Sequence, residues 1–173
     1  MVIAARTERE ERVWAELAQI PDPEIPAISV VDLGVIGGVA FEDDRLHIKL
    51  LPTFVGCPAI DVMRHEITER LGALDLAGSV VVDVTFDPPW TSDRISEHGR
   101  DRLRQSGFAP PARMPSGPVG LIGIDDLATM PDAVCPYCNS PDTTLDNPFG
   151  PTLCRAIYHC SACRQPFEQF KRV

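Results

Sequence analysis

Six cysteines, at 57, 135, 138, 154, 160 and 163, are the residues of this 173-residue chain best suited to chemistry. Four of them form two pairs, Cys135-Pro136-Tyr137-Cys138 and Cys160-Ser161-Ala162-Cys163, separated by 21 residues. Two such knuckles put four thiolates on two tight turns. That is the donor set and spacing of a tetrahedral metal, and it predicts one structural Zn2+ held by Cys135, Cys138, Cys160 and Cys163. A module of residues 131–173 cannot bury enough apolar surface to fold alone, so the metal supplies stability. Cys154 and His159 fall outside the knuckle spacing. Cys154 reads as a strand-facing thiol or as an extra ligand, serving a labile iron–sulfur cluster or replacing a knuckle sulfur.

Cys57 stands apart from these, in Thr53-Phe54-Val55-Gly56-Cys57-Pro58-Ala59. An apolar strand, Leu46 to Leu51, precedes it. Ile60, Met63, Ile67, Leu71 and Leu74 follow at helical spacing. Pro58 suits the first helical position, which places Cys57 just before a helix N-terminus. Free amides and the helix dipole there favour thiolate over thiol, so the sequence predicts an accessible Cys57 with a lowered pKa. Taken alone, a Cys-Pro step more often marks a small buried hydrophobe; the neighbouring segments shift that balance.

The elements that must position these residues come in order. Thr7-Glu8-Arg9-Glu10 fits a capping box, with a helix to Ile20 and a stop at Pro21. Three prolines in Pro21-Asp22-Pro23-Glu24-Ile25-Pro26 make a stiff loop holding two carboxylates. That loop is either a rigid solvated turn or one acidic wall of a site with Cys57. Val30 to Ile36 is apolar around a buried-looking Asp32 and a flexible Gly34. A strand through Phe41, a turn at Glu42–Arg45 and the strand Leu46–Leu51 make a hairpin. Ser79 to Phe86 is a third, β-branched strand. Strand, helix, strand implies a crossover beside the hairpin. The predicted fold is α+β: a small mixed sheet with helices on one side, followed by a C-terminal zinc-ribbon module. Thr91 or Ser92 caps a further helix to Ser106, and Trp90 is either a core plug or a neighbour of Cys57. The domains expected are 1–108, a proline-rich linker with a docking segment at Leu121–Leu127 over 109–130, and the ribbon at 131–173.

Composition removes several function classes. Net charge is −9, and residues 131–173 carry four basic and four acidic side chains, so no basic patch offers itself to nucleic acid. No apolar run approaches the ~20 residues that span a bilayer, and the N-terminus reads as neither signal nor transit peptide; a cytoplasmic protein is expected. There is no pair of Glu-x-x-His helices for a di-iron site and no glycine-rich dinucleotide fingerprint. The chain lacks its own machinery for oxygen or hydride chemistry.

Taken together, Asp22-Pro23-Glu24-Ile25-Pro26, Val31-Asp32-Leu33-Gly34-Val35-Ile36, Thr53…Gly56-Cys57-Pro58 and Pro89-Trp90 resemble the SufT-like iron–sulfur assembly domains. Phe149-Gly150-Pro151-Thr152-Leu153-Cys154-Arg155-Ala156 and Cys160-Ser161-Ala162-Cys163-Arg164-Gln165-Pro166-Phe167 are similar to a narrower family, the PaaD component of the phenylacetyl-CoA ring-1,2-epoxidase system. The resemblance covers nearly the whole chain. It implies an accessory role in aerobic phenylacetate breakdown, beside a di-iron oxygenase subunit, a structural partner and an iron–sulfur flavin reductase. In that family PaaD is taken as a maturation factor for a metal centre, not as the oxygenation catalyst.

Two functions fit the residues. In the first, Cys57 with Asp22 and Glu24, shaped by Thr53, Gly56, Trp90 and Thr91, holds iron or an iron–sulfur cluster transiently. One thiolate with carboxylates is weak and exchangeable, as delivery requires, whereas four thiolates are closed. In the second, Cys57 is inert and the ribbon merely docks protein. A thiol hydrolase built on Cys57 and a histidine is a weaker third, because His47, His65 and His98 lie in regular elements without a surrounding motif.

Overall fold

The computed structural model of the chain describes residues 7–54, 56–113 and 133–172. It divides into two compact units, Met1–Gly99 and Arg100–Val173.

In the first unit, helix α1 (Glu8–Leu17) opens on the capping box. Thr7 Oγ1 accepts from the Glu10 amide, and the Glu10 carboxylate accepts from the Thr7 amide. The helix stops three residues short of Ile20. The amides of Gln19 and Ile20 turn back onto the carbonyls of Glu16 and Leu17, a tightened last turn ahead of Pro21. Strands β1 (Ile36–Glu42) and β2 (Arg45–Leu50) pair antiparallel across a turn in which Asp43 takes a φ of 52°. Strand β3 (Ser79–Val84) lies parallel to β2, giving the order β1-β2-β3. Helix α2 (Ala59–Gly72) makes the crossover and packs on β3, while α1 packs on α2 and β1. Leu46, Ile48 and Leu50 of β2 are fully buried; Arg45, His47 and Lys49 alternate to the open face. Ala59, Met63, Ile67 and Leu71 bury the facing stripe of α2. Truncating Ile67 to Ala in that layer costs about 2–5 kcal/mol. This is the α+β architecture the periodicities predict.

Three further boundaries differ from those the sequence predicts. Strand β3 ends at Val84, and Phe86 beyond it is 50% exposed. Pro58 occupies the N-cap of α2 with helical angles, so α2 begins one residue later than its proline suggests. The expected helix after Trp90 is broken. A 3-10 turn (Ser92–Arg94) comes first, Ile95 is extended, and helix α3 (Glu97–Gln105) follows. Thr91 makes no capping bond; the Ser96 hydroxyl accepts from the Gly99 amide instead.

The second unit is built on a four-stranded sheet of β4 (Phe108–Ala109), β5 (Thr143–Asn147), β6 (Arg155–Cys160) and β7 (Pro166–Phe170), in the order β4-β7-β6-β5. Ala109, Ala133, Cys135, Ala156, Tyr158, Cys160 and Phe167 form its buried cluster, with the Tyr158 and Phe167 rings stacked at 5.8 Å. Ala109 is therefore a strand residue, paired with β7, and not the start of a linker. The chain leaves the cluster at Ala109 and rejoins it at Ala133, so both ends of the intervening stretch are anchored in one core. The docking segment expected at Leu121–Leu127 lies outside the described residues. Arg155 is buried but compensated: its guanidinium pairs with Glu168 at 3.0 Å and lies over the Phe108 ring.

Candidate functional site

The two knuckles repeat one backbone device. The amide of each first cysteine, Cys135 or Cys160, donates to the carbonyl five residues on, Ser140 or Gln165, at 3.0 Å in both. The residue after each second cysteine, Asn139 or Arg164, donates its amide back to the first cysteine's carbonyl at 2.9 and 2.8 Å. Both of these residues take a left-handed φ, 59° and 60°. Asn accepts that conformation readily; an Arg there is held against an intrinsic cost of about 1 kcal/mol.

These turns bring the four sulfurs within 4.8 Å of one another, with Cys135–Cys163 and Cys138–Cys160 both at 3.6 Å. A tetrahedral ion with metal–sulfur bonds of about 2.3 Å sets its sulfurs roughly 3.8 Å apart, so the donor set fits a four-thiolate metal. The Cys163 amide lowers Cys160 to about 7, while burial and the neighbouring thiols push Cys163 to about 12. One thiolate is thus ready near neutral pH, and the remaining protons leave as a cation enters. Such a cation would supply structural stability and no open coordination position.

Cys154 is buried ahead of β6, with its sulfur 3.0 Å from the Thr152 hydroxyl and its carbonyl accepting from the Lys171 amide. The four-sulfur group closes without it.

Cys57 sits in a different setting. Gly56 takes a φ of +79°, and the Cys57 amide donates to the Phe54 carbonyl at 3.4 Å, turning the chain into α2. The thiol is half-buried. Burial pushes it above the ordinary value; the Ala59 amide pulls down, the Glu24 and Asp22 carboxylates push up, and the Ile60 amide pulls down again. The lowered pKa expected from the helix N-terminus is therefore reversed. Desolvation and two nearby anions outweigh the amides. Glu24 and Asp22 both act electrostatically on this thiol, against its ionisation. Among the described residues, however, Cys57, Asp22 and Glu24 do not form a second ligand group comparable with the four cysteines. One Asp22 oxygen is taken up by the amides of Glu24 and Ile25, at 2.9 and 2.7 Å, so Asp22 shapes its own loop. Glu24 is half-buried, as is Thr53.

Parallel pairing of β2 and β3 puts the loops after them at the same end of the sheet, with the Thr85 amide donating to the Leu50 carbonyl. Trp90 turns into the core at 3% exposure, where its indole N–H donates to the Leu33 carbonyl at 3.0 Å. Thr91 is exposed. Periodicity did not reveal the bonding around Asp32. Its carboxylate accepts from the hydroxyls of Ser29 and Ser96 and faces His98 Nδ1 at 3.0 Å. Burial acts to raise Asp32, but these three partners outweigh it and hold its carboxyl below the usual range. The signal available in the sequence was only an acid inside an apolar run.

The fold and the two cysteine sites define a two-module protein: an iron–sulfur-assembly type α+β domain and a thiolate β-ribbon. A model described as an iron-sulfur cluster assembly protein matches residues 10–86, and the PaaD zinc beta ribbon domain matches residues 124–171. The chain is 40% identical to the D component of the "Putative 1,2-phenylacetyl-CoA epoxidase" of Escherichia coli (strain K12), over 93% of this chain and 92% of that protein. It is 30% identical to the "Fe-S protein maturation auxiliary factor YitW" of Bacillus subtilis (strain 168), over 54% of this chain and 92% of that one. The crystal structure of a domain of unknown function, DUF59, from Bacillus anthracis aligns with a TM-score of 0.51 at 27% identity, over 55% of this chain and 91% of that chain. The chain belongs to the PaaD family of phenylacetyl-CoA epoxidase components. Among the described residues, no helix is long and apolar enough to cross a membrane.

Proposed function

We propose that this chain is an accessory maturation subunit of a phenylacetyl-CoA epoxidase, and that it assists assembly or delivery of the iron or iron–sulfur centre of that multicomponent oxygenase. One observation carries the reading: an iron–sulfur assembly domain and a PaaD ribbon are joined in one chain that aligns with an epoxidase component over nearly its whole length. In this reading the ribbon holds a structural zinc through Cys135, Cys138, Cys160 and Cys163 and docks the oxygenase and reductase partners. Cys57 holds the cargo briefly. Its thiol is kept protonated by burial and by Glu24 and Asp22, so an incoming cation must displace a proton, and re-protonation helps release. That reversibility suits delivery better than a preformed thiolate does. The domain reading of a 1–108 module, a connecting 109–130 segment and a 131–173 ribbon is carried with it, adjusted for the pairing of β4 with β7.

The same raised pKa favours a second reading, in which Cys57 is inert and the chain is a structural or regulatory subunit using the ribbon alone. Growth on phenylacetate separates the two. With Cys57→Ser as the sole copy and the oxygenase subunits still expressed, the maturation reading expects growth to fail. Normal growth would favour the structural role.

A further inference from the structure

We propose that the chain pairs with a second copy of itself along the outer edge of β3, antiparallel and about a two-fold axis at Val82. Two three-stranded sheets then become one, in the order β1-β2-β3-β3-β2-β1.

A sheet edge is a row of unpaired amides and carbonyls, and a fold that stays single blunts it. Three edges of the two sheets are blunted. Strand β1 carries a bulge between Ile36 and Gly38, and the Arg94 guanidinium donates to the Gly34 and Ile36 carbonyls at 2.8 and 3.3 Å. Strand β4 is two residues long, and β5 is bulged between Leu145 and Asn147. Strand β3 has none of these devices. It is six residues long, pairs with β2 without a shift, and holds neither proline nor lysine. Its one charge, Asp83, turns to His47 Nδ1 on β2 at 3.2 Å. Among the described residues, no segment but β2 and the turn before it bonds to the β3 backbone.

The side chains ask for cover as well. Strand β3 meets β2 in the register Leu46–Val80, Ile48–Val82 and Leu50–Val84. The β2 members are fully buried, whereas Val80 and Val82 are half-buried and Val84 is 39% exposed. The apolar face of the sheet therefore runs on past its cover. The same three valines turn their main-chain groups outward. The amides of Ser79 and Thr85 bond toward β2, to the Asp44 and Leu50 carbonyls, and alternation along the strand points those of Val80, Val82 and Val84 the other way.

A second β3 suits this edge because the edge is complementary to itself. With Val82 on the two-fold, Val82 lies opposite its own copy and Val80 opposite Val84 of the second copy, each pair exchanging both main-chain bonds. Valine then meets valine all along the core face. On the open face Asp83 lies opposite Val81, and Ser79 opposite Thr85, so no carboxylate meets a carboxylate. A slip that set Asp83 against its own copy would place like charges directly opposite. The axis stands normal to the sheet, so both copies of α2, which packs on β3, cover the same face.

The test is sedimentation of the full zinc-loaded chain under reducing conditions, from micromolar to submillimolar concentration, with amide exchange followed on the same samples. The expected mass is twice the 19.0 kDa of one chain, falling toward the single value on dilution. The amides of Val80, Val82 and Val84 should be protected in the dimer and open on dilution. Those of Val81 and Asp83 should stay protected throughout, because β2 holds them. Val84→Lys puts a charge on an exposed edge position, so the fold survives; it should weaken association about tenfold and open the three amides. Ala40→Lys, at an exposed position of β1, should leave both readings unchanged. If Val84→Lys does not fold, the dilution series of the wild-type amides decides. A chain that stays at the single mass overturns the proposal. So does undiminished pairing in a folded Val84→Lys, or a dimer whose Val80, Val82 and Val84 amides remain open, since the interface then lies elsewhere. Protection that appears only when another subunit is added gives the edge to a foreign strand and overturns it too.

Discussion

The chain carries two kinds of cysteine site, and they differ in what the backbone does for the sulfur. In the ribbon, two identical turns with left-handed Asn139 and Arg164 bring four sulfurs together and leave little to side-chain chance. At Cys57, one thiol sits at the mouth of a helix with carboxylates beside it and burial against its ionisation. Four convergent thiolates make a site that keeps its metal. On the maturation reading proposed above, one reluctant thiol would give its metal back. The lesson is that a helix N-terminus is not enough to activate a cysteine. Its amides compete with desolvation and with nearby anions, and here they lose.

The largest effect expected from this contrast is on folding. Structural zinc contributes on the order of 10 kcal/mol to modules of this size. Cys138→Ser should therefore melt the second unit and leave the first folded. Hydrogen exchange would show β6 and β7 unprotected while β2 stays protected, and metal analysis would show the zinc gone. Because β4 pairs with β7, Phe108 and Ala109 should lose protection with the ribbon. Protected β6 amides in a zinc-free variant would erase the distinction between the two sites.

Next comes the ionisation of Cys57. Alkylation of a variant keeping only Cys57 and the four knuckle cysteines should show a midpoint above the reference thiol value of 9.0. Glu24→Gln should lower the midpoint more than Asp22→Asn does, since Glu24 acts on the thiol more strongly. A wild-type midpoint below 9.0 would restore the activated-thiolate picture.

Acid sharpens the contrast further. Asp32 is held below the ordinary carboxylate range, so its contribution to stability is present above its unfolded value of about 3.9 and fades as pH falls through the lower folded value. Asp32→Asn should thus be less stable than wild type near pH 7 and lose less on acidification below about pH 4. Thermal midpoints measured across that range would reveal it; parallel curves for the two proteins would deny Asp32 this role. The smallest effect is at Arg164, where glycine accepts the left-handed φ without strain. Arg164→Gly should stabilise the zinc-loaded ribbon by up to about 1 kcal/mol in chemical unfolding.

Much of this was legible in the residues, for physical reasons. Val13 and Leu17, the alternation through β2 and the spacing of Met63, Ile67 and Leu71 are periodic because one face of each element is buried. The knuckles were legible because thiolate chemistry fixes their spacing. The short strands β4 and β5 were not legible. Two residues carry no period, and the exposed side chains of Thr143–Asn147 show no clean alternation. The broken helix at Ile95 and the hub at Asp32 depend on partners some 60 residues away, which local pattern cannot report. The pKa of Cys57 failed for the same reason: its sign is set by burial and by Glu24, not by Pro58.

In the maturation role proposed above, Cys57 passes iron or a cluster to the oxygenase. The most direct measurement is the metal content of the oxygenase and its reductase, purified anaerobically from cells whose only copy of this chain carries Cys57→Ser. The account predicts normal amounts of polypeptide with a di-iron or iron–sulfur centre short of iron, beside full occupancy in cells with the wild-type chain. Full metal and full activity in the Cys57→Ser background would contradict it.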